Sequence, residues 1–139
     1  MNCQITHPWL DTSRFPLVEI RYPEKVADSD LEAFLLLYET FLESFRGPYA
    51  AVVDFSAIFT ATQSQRRIYA LSERRIRDIA HRKCRGVAMI VDNSLMRGCI
   101  AAVYWMSKPN YPYKVFSTRR TAVQWAYGQL DDQRTQPSA

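Results

Sequence analysis

Strand-like and helix-like segments alternate four times along this chain of 139 residues, and that order constrains the fold more than any other feature. Two of the predicted strands, Tyr49–Phe55 and Gly86–Val91, are nearly continuous apolar runs, which is typical of strands buried on both faces of a sheet. A long helical segment lies between them, and strands joined through helices pair in parallel through right-handed crossovers. The sequence therefore predicts an α/β fold with a largely parallel sheet and covering helices.

The individual elements are assigned from hydrophobic periodicity and from turn and capping residues. In chain order they are strand Phe15–Tyr22, helix Ser29–Arg46, strand Tyr49–Phe55, helix Thr62–Lys83, strand Gly86–Val91, helix Leu95–Ser107, strand Tyr113–Phe116 and a final helix that ends near Leu130. A short strand is also predicted at Cys3–Thr6. Ser29 and Glu32 form the pattern of a capping box at the start of the first helix. We expect one domain over residues 1–130 and a flexible polar tail over residues 131–139.

Composition indicates a globular, cytoplasmic protein. Apolar residues make up 47% of the chain and charged residues 23%, which is a balance typical of a globular domain. No secretory signal is recognised, and no stretch approaches the ~20 apolar residues of a transmembrane segment. The three cysteines, Cys3, Cys84 and Cys99, are an odd number without a CxxC pair, which favours a reducing cytoplasm over a disulfide framework.

Positive charge is concentrated in one predicted helix. Residues 62–85 contain eight basic and two acidic residues, a net charge of +6 in a chain whose total is +4. Arg66 and Arg67 lie opposite the apolar side of this helix, and the i, i+4 pairs Glu73–Arg77 and Arg74–Asp78 indicate a solvated face. A surface for an acidic protein or a lipid stays open as an alternative. Nucleic acid is the least favoured partner, because the helix carries a single aromatic residue.

No pattern in the sequence predicts catalysis, a metal site or a cofactor. His7 and His81 are far apart, and neither has a Cys, Asp or Glu at metal-ligand or triad spacing. The four glycines are isolated, so neither a dinucleotide-binding motif nor a P-loop is present. Asp54 closes a predicted central strand, where sites of open α/β folds often lie, but its carboxylate would equally cap the following loop. We therefore expect a protein that is not an enzyme.

The predicted helix Leu95–Ser107 is apolar almost all round, with Arg97 as its only charge. Such a helix is buried on several sides, either within the fold or against another chain. Its end, with Tyr104 and Trp105, and the segment rich in Pro and Tyr that follows resemble an aromatic interface. Three interpretations stay open: packing in the core, a homodimer or partner surface, and the wall of an apolar ligand pocket.

Taken in order, these segments resemble the bacterial SpoIIAA-like, STAS-like group of small proteins over roughly residues 15–130. The resemblance is carried by the order and spacing of Phe15-Pro16-Leu17-Val18, Val52-Val53-Asp54, Gln65-Arg66-Arg67, Gly86-Val87-Ala88, Trp105 with Pro109, and Val115-Phe116-Ser117-Thr118 leading to Ala122 and Trp125. It implies a STAS-like mixed, largely parallel sheet of four to five strands with about four helices. STAS domains, as in the anti-sigma factor antagonists, are typically non-enzymatic and bind proteins, and sometimes nucleotides or lipids.

The phosphorylated serine of the antagonists, at the start of the second helix, is not matched here. Counted from Asp54, the antagonists' Asp-Ser pair falls at Thr62-Gln63. We therefore predict a regulatory or protein-interaction module, with a nucleotide or lipid sensor as the alternative and nucleic-acid binding as a third. The predicted binding residues are Asp54, Thr62, Ser64, Arg66, Arg67, Arg97, Tyr104 and Trp105.

Overall fold

The computed structural model describes residues 5–135. The strands are β1 (Leu10–Asp11), β2 (Leu17–Arg21), β3 (Tyr49–Asp54), β4 (Cys84–Ile90) and β5 (Tyr113–Phe116), and the helices are α1 (Asp28–Glu43), α2 (Gln63–Arg75), α3 (Arg77–Lys83), α4 (Ser94–Met106) and α5 (Arg119–Thr135). None of these helices is long and apolar enough to cross a membrane.

The five strands form one sheet whose spatial order follows the chain order, β1-β2-β3-β4-β5. The pairs β2–β3, β3–β4 and β4–β5 are parallel, and β1 adds an antiparallel edge, with Leu10 opposite Ile20. The register is regular along β2 and β3, whereas a shift occurs in the β3–β4 pair between Tyr49 and Ala50. The predicted α/β class and mixed, largely parallel sheet are therefore confirmed.

The helices cover the two faces of the sheet unequally. Alternate residues of β2 point to opposite faces, so that Val18 and Ile20 join a large core with α1 to α4, whereas Leu17 joins a smaller core with α5. The smaller core is built largely from short side chains of the sheet and of α5: Ala50, Val52, Ala88, Ala122 and Ala126. The face under α1 to α4 carries an apolar cavity of about 300 Å³.

The first helix differs from its predicted start. Helix α1 begins at Asp28 with Ala27 as N-cap, and no side chain caps its first turn. The predicted capping box of Ser29 with Glu32 is therefore wrong, because Ser29 already lies inside the helix. The Asp28 carboxylate instead accepts a hydrogen bond of 2.7 Å from the Ser64 hydroxyl, which joins the starts of α1 and α2.

The long basic helix is two helices. A break at Ile76, whose φ and ψ are −89° and 2°, separates α2 from α3. No Gly or Pro stands at this break, so the sequence does not indicate it. Ile76 and Ala80 are both buried against the sheet, and we attribute the bend to this packing. Helix α3 then passes directly into β4 at Cys84, two residues before the predicted strand.

The structure differs from the predictions near both ends of the chain. The predicted strand at Cys3–Thr6 is not formed at Ile5 and Thr6, and its first two residues lie outside the described part of the chain. The edge strand β1 was not predicted, because two residues are too short for a periodicity signal. Helix α5 continues to Thr135, into the predicted flexible tail, and residues 136–139 lie outside the described range.

Candidate ligand-binding site

A cavity of about 300 Å³ lies between the sheet and helices α1, α2 and α4. Tyr22 and Phe55 follow directly on β2 and β3 and line it, so the cavity opens at the carboxyl end of the parallel strands. This is the edge where open α/β sheets generally bind ligands. Its volume falls at the lower end of the range for small-molecule pockets.

The wall of the cavity is mostly apolar. The aliphatic, aromatic and thioether side chains that line it are Tyr22, Val26, Leu31, Phe55, Ile58, Tyr69, Met89, Met96, Ile100, Val103 and Tyr104. Helix α4 contributes through one stripe, because Met96, Ile100 and Val103 recur at helical spacing and are buried. Such a wall favours an apolar ligand body.

A polar group lies on one side of this apolar wall. The Arg66 guanidinium donates a 2.7 Å hydrogen bond to the Ala61 carbonyl and lies 4.0 Å from the Cys99 sulfur. The Thr60 hydroxyl lies 3.6 Å from the same sulfur. Burial alone would raise the pKa of Cys99, but hydrogen bonds with Ala61, Thr60 and Arg66, together with the Arg66 charge, lower that pKa below its usual value.

Arg66 is itself partly buried, and among residues 5–131 no carboxylate oxygen lies within 4.0 Å of its guanidinium. Arginine at a site of reduced solvation is normally paired with an anion, because an unpaired charge there is costly. Its remaining N–H donors are available for a planar acceptor such as a carboxylate or phosphate. The guanidinium is thus the partly buried positive group of the cavity wall, whereas Lys25, which also lines the cavity, is exposed.

The Tyr22 hydroxyl also lies in the cavity wall. The residue is 2% exposed, and its oxygen makes no hydrogen bond of normal geometry within the described chain. Burial, with the Tyr69 hydroxyl nearby, raises the pKa of Tyr22 well above its usual value, so the phenol stays protonated. A buried hydroxyl without a partner costs about 1 to 3 kcal/mol, which a ligand acceptor or donor would recover.

The start of α2 is held rigidly beside the cavity. The Thr62 hydroxyl accepts a 3.1 Å hydrogen bond from the Gln65 backbone N–H, and the Gln65 side-chain oxygen accepts one from the Thr62 N–H, which makes a capping box. The Gln65 amide also donates to the Val26 carbonyl at 2.7 Å. These contacts position Arg66, the next residue, towards the cavity.

The structure is similar to the crystal structure of an uncharacterised protein of the DUF3478 family, described as having a SpoIIAA-like fold, from Shewanella loihica PV-4. The two share 18% sequence identity and a TM-score of 0.56, over 84% of this chain and 90% of the other. The chain has a SpoIIAA-like fold. No protein-family model matches the sequence, and no curated protein is significantly similar to it.

Within this SpoIIAA-like fold, the predicted binding residues do not form one site. Arg66 and Tyr104 line the cavity, whereas Thr62 and Ser64 support it from the first turn of α2. Asp54 lies on the opposite face of the sheet, where its carboxylate caps the following loop by accepting a 2.8 Å hydrogen bond from the Ser56 N–H. The structure therefore supports the loop-capping interpretation of Asp54.

The other three predicted residues lie on the surface. Arg67 and Arg97 are exposed, and Trp105 is 87% exposed at the end of α4. The expectation that α4 is buried on several sides is wrong for this chain alone, because Leu95 and Met106 are also exposed. The exposed side of α4 and the cavity side are separate surfaces.

Most of the basic segment is engaged in contacts within the protein. Arg75 forms a bidentate ion pair with Glu39 of α1, at 2.8 and 3.0 Å. Backbone carbonyls accept hydrogen bonds from Arg66, Arg74, Arg77, Arg82 and Lys83. The predicted i, i+4 ion pairs are absent from the described chain, because Arg74 and Arg77 reach instead to the carbonyls of Met106 and Lys108.

Within residues 5–131, the histidine and cysteine side chains do not converge on one site. No group of three or more His, Cys, Asp and Glu residues that could hold a metal occurs in the described part of the chain. His7 Nδ1 accepts a hydrogen bond from the Trp9 N–H, and His81 is exposed on α3. Tyr22 and Cys99 also line the cavity but are not among the predicted binding residues. Nothing in the sequence around them distinguishes them from core residues.

Proposed function

We propose that this protein is a non-enzymatic binding module that takes a small ligand with an apolar body and one anionic group into the cavity under α2 and α4. The observation that carries the proposal is a partly buried arginine, Arg66, without a carboxylate partner in the described chain, in the wall of a mostly apolar cavity of about 300 Å³. Glu24 and Lys25 also line this cavity, but both are exposed. The apolar wall supplies most of the binding energy, and the guanidinium supplies orientation and selectivity.

The nature of the ligand follows from these two parts. A medium-chain or aromatic carboxylic acid, or an amphiphile with a phosphate, would place its acid on Arg66 and its body against Met96 and Ile100. A nucleotide fits less well, because its polar sugar and several phosphates would lie against the apolar wall. This interpretation corresponds to the sensor of small ligands that the sequence left as an alternative.

Isothermal titration with octanoate and with octanol, which share the apolar chain, tests the proposal. We expect octanoate to bind at least tenfold more tightly than octanol, and Arg66→Met to remove the difference while octanol binding stays. Arg67→Met is the matched control, since Arg67 is exposed one residue along the same helix. Absence of binding by both probes would contradict the proposal. So would an Arg66→Met variant that prefers octanoate over octanol as strongly as the wild type does.

A second candidate function, contact with a protein partner, is favoured by the exposed end of α4. Trp105 is 87% exposed, and Arg74 and Arg77 lie beside it, held by the carbonyls of Met106 and Lys108. Exposed tryptophan and arginine are typical centres of protein interfaces. A second copy of this chain would bring equal positive charge to the contact, so the charge favours an acidic partner.

Co-purification from the native cell, quantified by mass spectrometry, tests this surface. A partner that is lost with both Trp105→Ala and Arg77→Glu, but kept with Arg120→Glu on α5, would support the candidate. Recovery of the same partners with all three folded variants would exclude it.

A further inference from the structure

A second, smaller cavity of about 30 Å³ lies deeper in the same core, between the sheet and helices α1, α2 and α4. Five tyrosines line it: Tyr38, Tyr49, Tyr69, Tyr104 and Tyr111. Tyr69 and Tyr104, together with Met89, also line the larger cavity, so the two cavities are adjacent and share these three side chains. The space accommodates a group about the size of one or two water molecules.

The Glu73 carboxylate lies in this tyrosine-lined chamber. The Tyr111 hydroxyl donates a 2.9 Å hydrogen bond to Glu73 Oε2, and the Tyr104 and Tyr111 hydroxyls are 3.1 Å apart. Arg77, one turn further on, donates to the Lys108 carbonyl instead. Among residues 5–131, no Lys, Arg or His nitrogen lies within 4.0 Å of the Glu73 carboxylate. This partly buried carboxylate thus has one fixed donor and no ion pair among those residues.

We propose that this chamber is the subsite for the primary ammonium group of a ligand whose apolar body occupies the larger cavity. An ammonium group carries three donors, which the two carboxylate oxygens and a phenol oxygen can accept at short range. The surrounding tyrosine rings add cation–π attraction. A quaternary ammonium is too bulky for the chamber, so the site selects primary amines.

The position of Glu73 relative to Arg66 specifies the ligand further, and this step rests on the proposed function. The two residues are seven apart on α2, so they lie on the same face of the helix and are separated by about 10 Å along its axis. A ligand that satisfies both would carry an acid and an amine at opposite ends of an apolar chain of that length. We therefore infer an ω-amino acid or a similar elongated amphoteric molecule as the chemical class.

Among the described groups that face the chamber, Glu73 has a pKa near neutral. Burial raises the pKa of Glu73 to about 7, against the lowering effects of the Tyr111 hydrogen bond and the Arg77 charge. Burial also raises the pKa of the five tyrosines that line the chamber, and it raises the pKa of the Cys84 thiol to about 12. Amine binding therefore requires the ionised carboxylate and releases protons from Glu73 around neutral pH.

Four eight-carbon probes separate the two subsites: octanol, octanoate, octylamine and ω-aminooctanoate. By isothermal titration at about pH 8, we expect octylamine to bind at least tenfold more tightly than octanol, and ω-aminooctanoate more tightly than either singly charged probe. The amine preference should fall below about pH 6, and trimethyloctylammonium should show none. Titration in two buffers of different ionisation enthalpy should detect proton release on amine binding at about pH 7.

Glu73→Gln keeps the shape of the side chain and removes its charge, so it should abolish the amine preference and leave octanoate binding unchanged. Asp78→Asn, on the exposed side of α3, is the matched control and should keep both. Equal binding of octylamine and octanol to the wild type would overturn the ammonium subsite, and so would an amine preference that persists in Glu73→Gln. If octanoate binding still depends on Arg66 in either case, the proposed function of the larger cavity stands. Methylammonium, which has no apolar body, should lower the apparent pKa of Glu73 in ¹³C NMR. An unchanged pKa at saturating concentration would overturn the subsite even if no eight-carbon probe binds.

Discussion

The Glu73 carboxyl makes the stability of this protein depend on pH in a direction opposite to that of an ion-paired acid. Its pKa is about 7 in the folded protein and 4.5 as the ordinary value. A raised acid pKa means that the folded state holds the proton more tightly than the unfolded chain. The contribution of Glu73 to the free energy of unfolding is therefore largest below about pH 4.5, falls as pH rises through 7, and is lowest above it.

The magnitude follows from the size of the shift. A difference of about 2.5 pKa units corresponds to about 3 kcal/mol between the fully protonated and fully ionised states, of which about 2 to 3 kcal/mol falls between pH 5 and pH 8. Glu73→Gln imitates the protonated acid at every pH, so it should stabilise the protein at about pH 8 relative to wild type and change little at about pH 5. Urea unfolding followed by circular dichroism should show the two midpoints separating by roughly 1 M or more as pH rises.

The control is Glu43→Gln, since Glu43 is exposed at the end of α1. Its stability difference from wild type should stay nearly constant across the same pH range. A Glu73→Gln curve that runs parallel to wild type from pH 5 to pH 8 would refute the reasoning, because it would mean that the carboxyl is solvated in the folded protein.

Two further predictions concern the thiols and the glycines. Cys99 should be alkylated by iodoacetamide much faster than Cys84, because burial raises the pKa of Cys84 to about 12. Arg66→Met should slow the reaction at Cys99. Equal alkylation rates of Cys99 and Cys84 in the wild type, measured by peptide mass spectrometry, would contradict this prediction. Gly86→Ala should lower the free energy of unfolding by about 1 to 2 kcal/mol, because a Cβ there meets two side chains of α5 at 3.0 and 3.1 Å. A Cβ at Gly128 meets open space, so Gly128→Ala should instead stabilise α5 by about 0.5 to 1 kcal/mol. Shifts of the same sign in the thermal unfolding temperatures of the two variants would contradict these packing differences.

The sequence predicts the fold well because the dominant signals are local. The apolar runs around Ala51 and Ala88 are buried on both faces of the sheet. Helix α4 begins within one residue of its predicted start, and the Asn93 side chain caps it by accepting a 2.8 Å hydrogen bond from the Met96 N–H. The errors in the elements also have local causes. Ser29 satisfies the capping pattern, but the helix starts one residue earlier, and the break at Ile76 is imposed by packing.

The candidate site is harder to predict because distant contacts decide it. Arg66 and Arg67 are identical neighbours in the sequence, yet one lines a cavity and the other is exposed, since successive residues of a helix point about 100° apart. Glu73 has the spacing of an ordinary surface ion pair with Arg77. Its actual partner is Tyr111, 38 residues along the chain, and no pattern within α2 indicates that contact.

The agreement between strand order and chain order has a consequence for synthesis of the protein. Each parallel strand pairs with the one made just before it, so the sheet can extend in step with the emerging chain, without waiting for a distant segment. The exception is the face that carries Leu17, Val52 and Ile90, which α5 covers in the described part of the chain. That face stays open until α5 has left the ribosome, so the interval before α5 docks is the one in which exposed apolar strands favour aggregation.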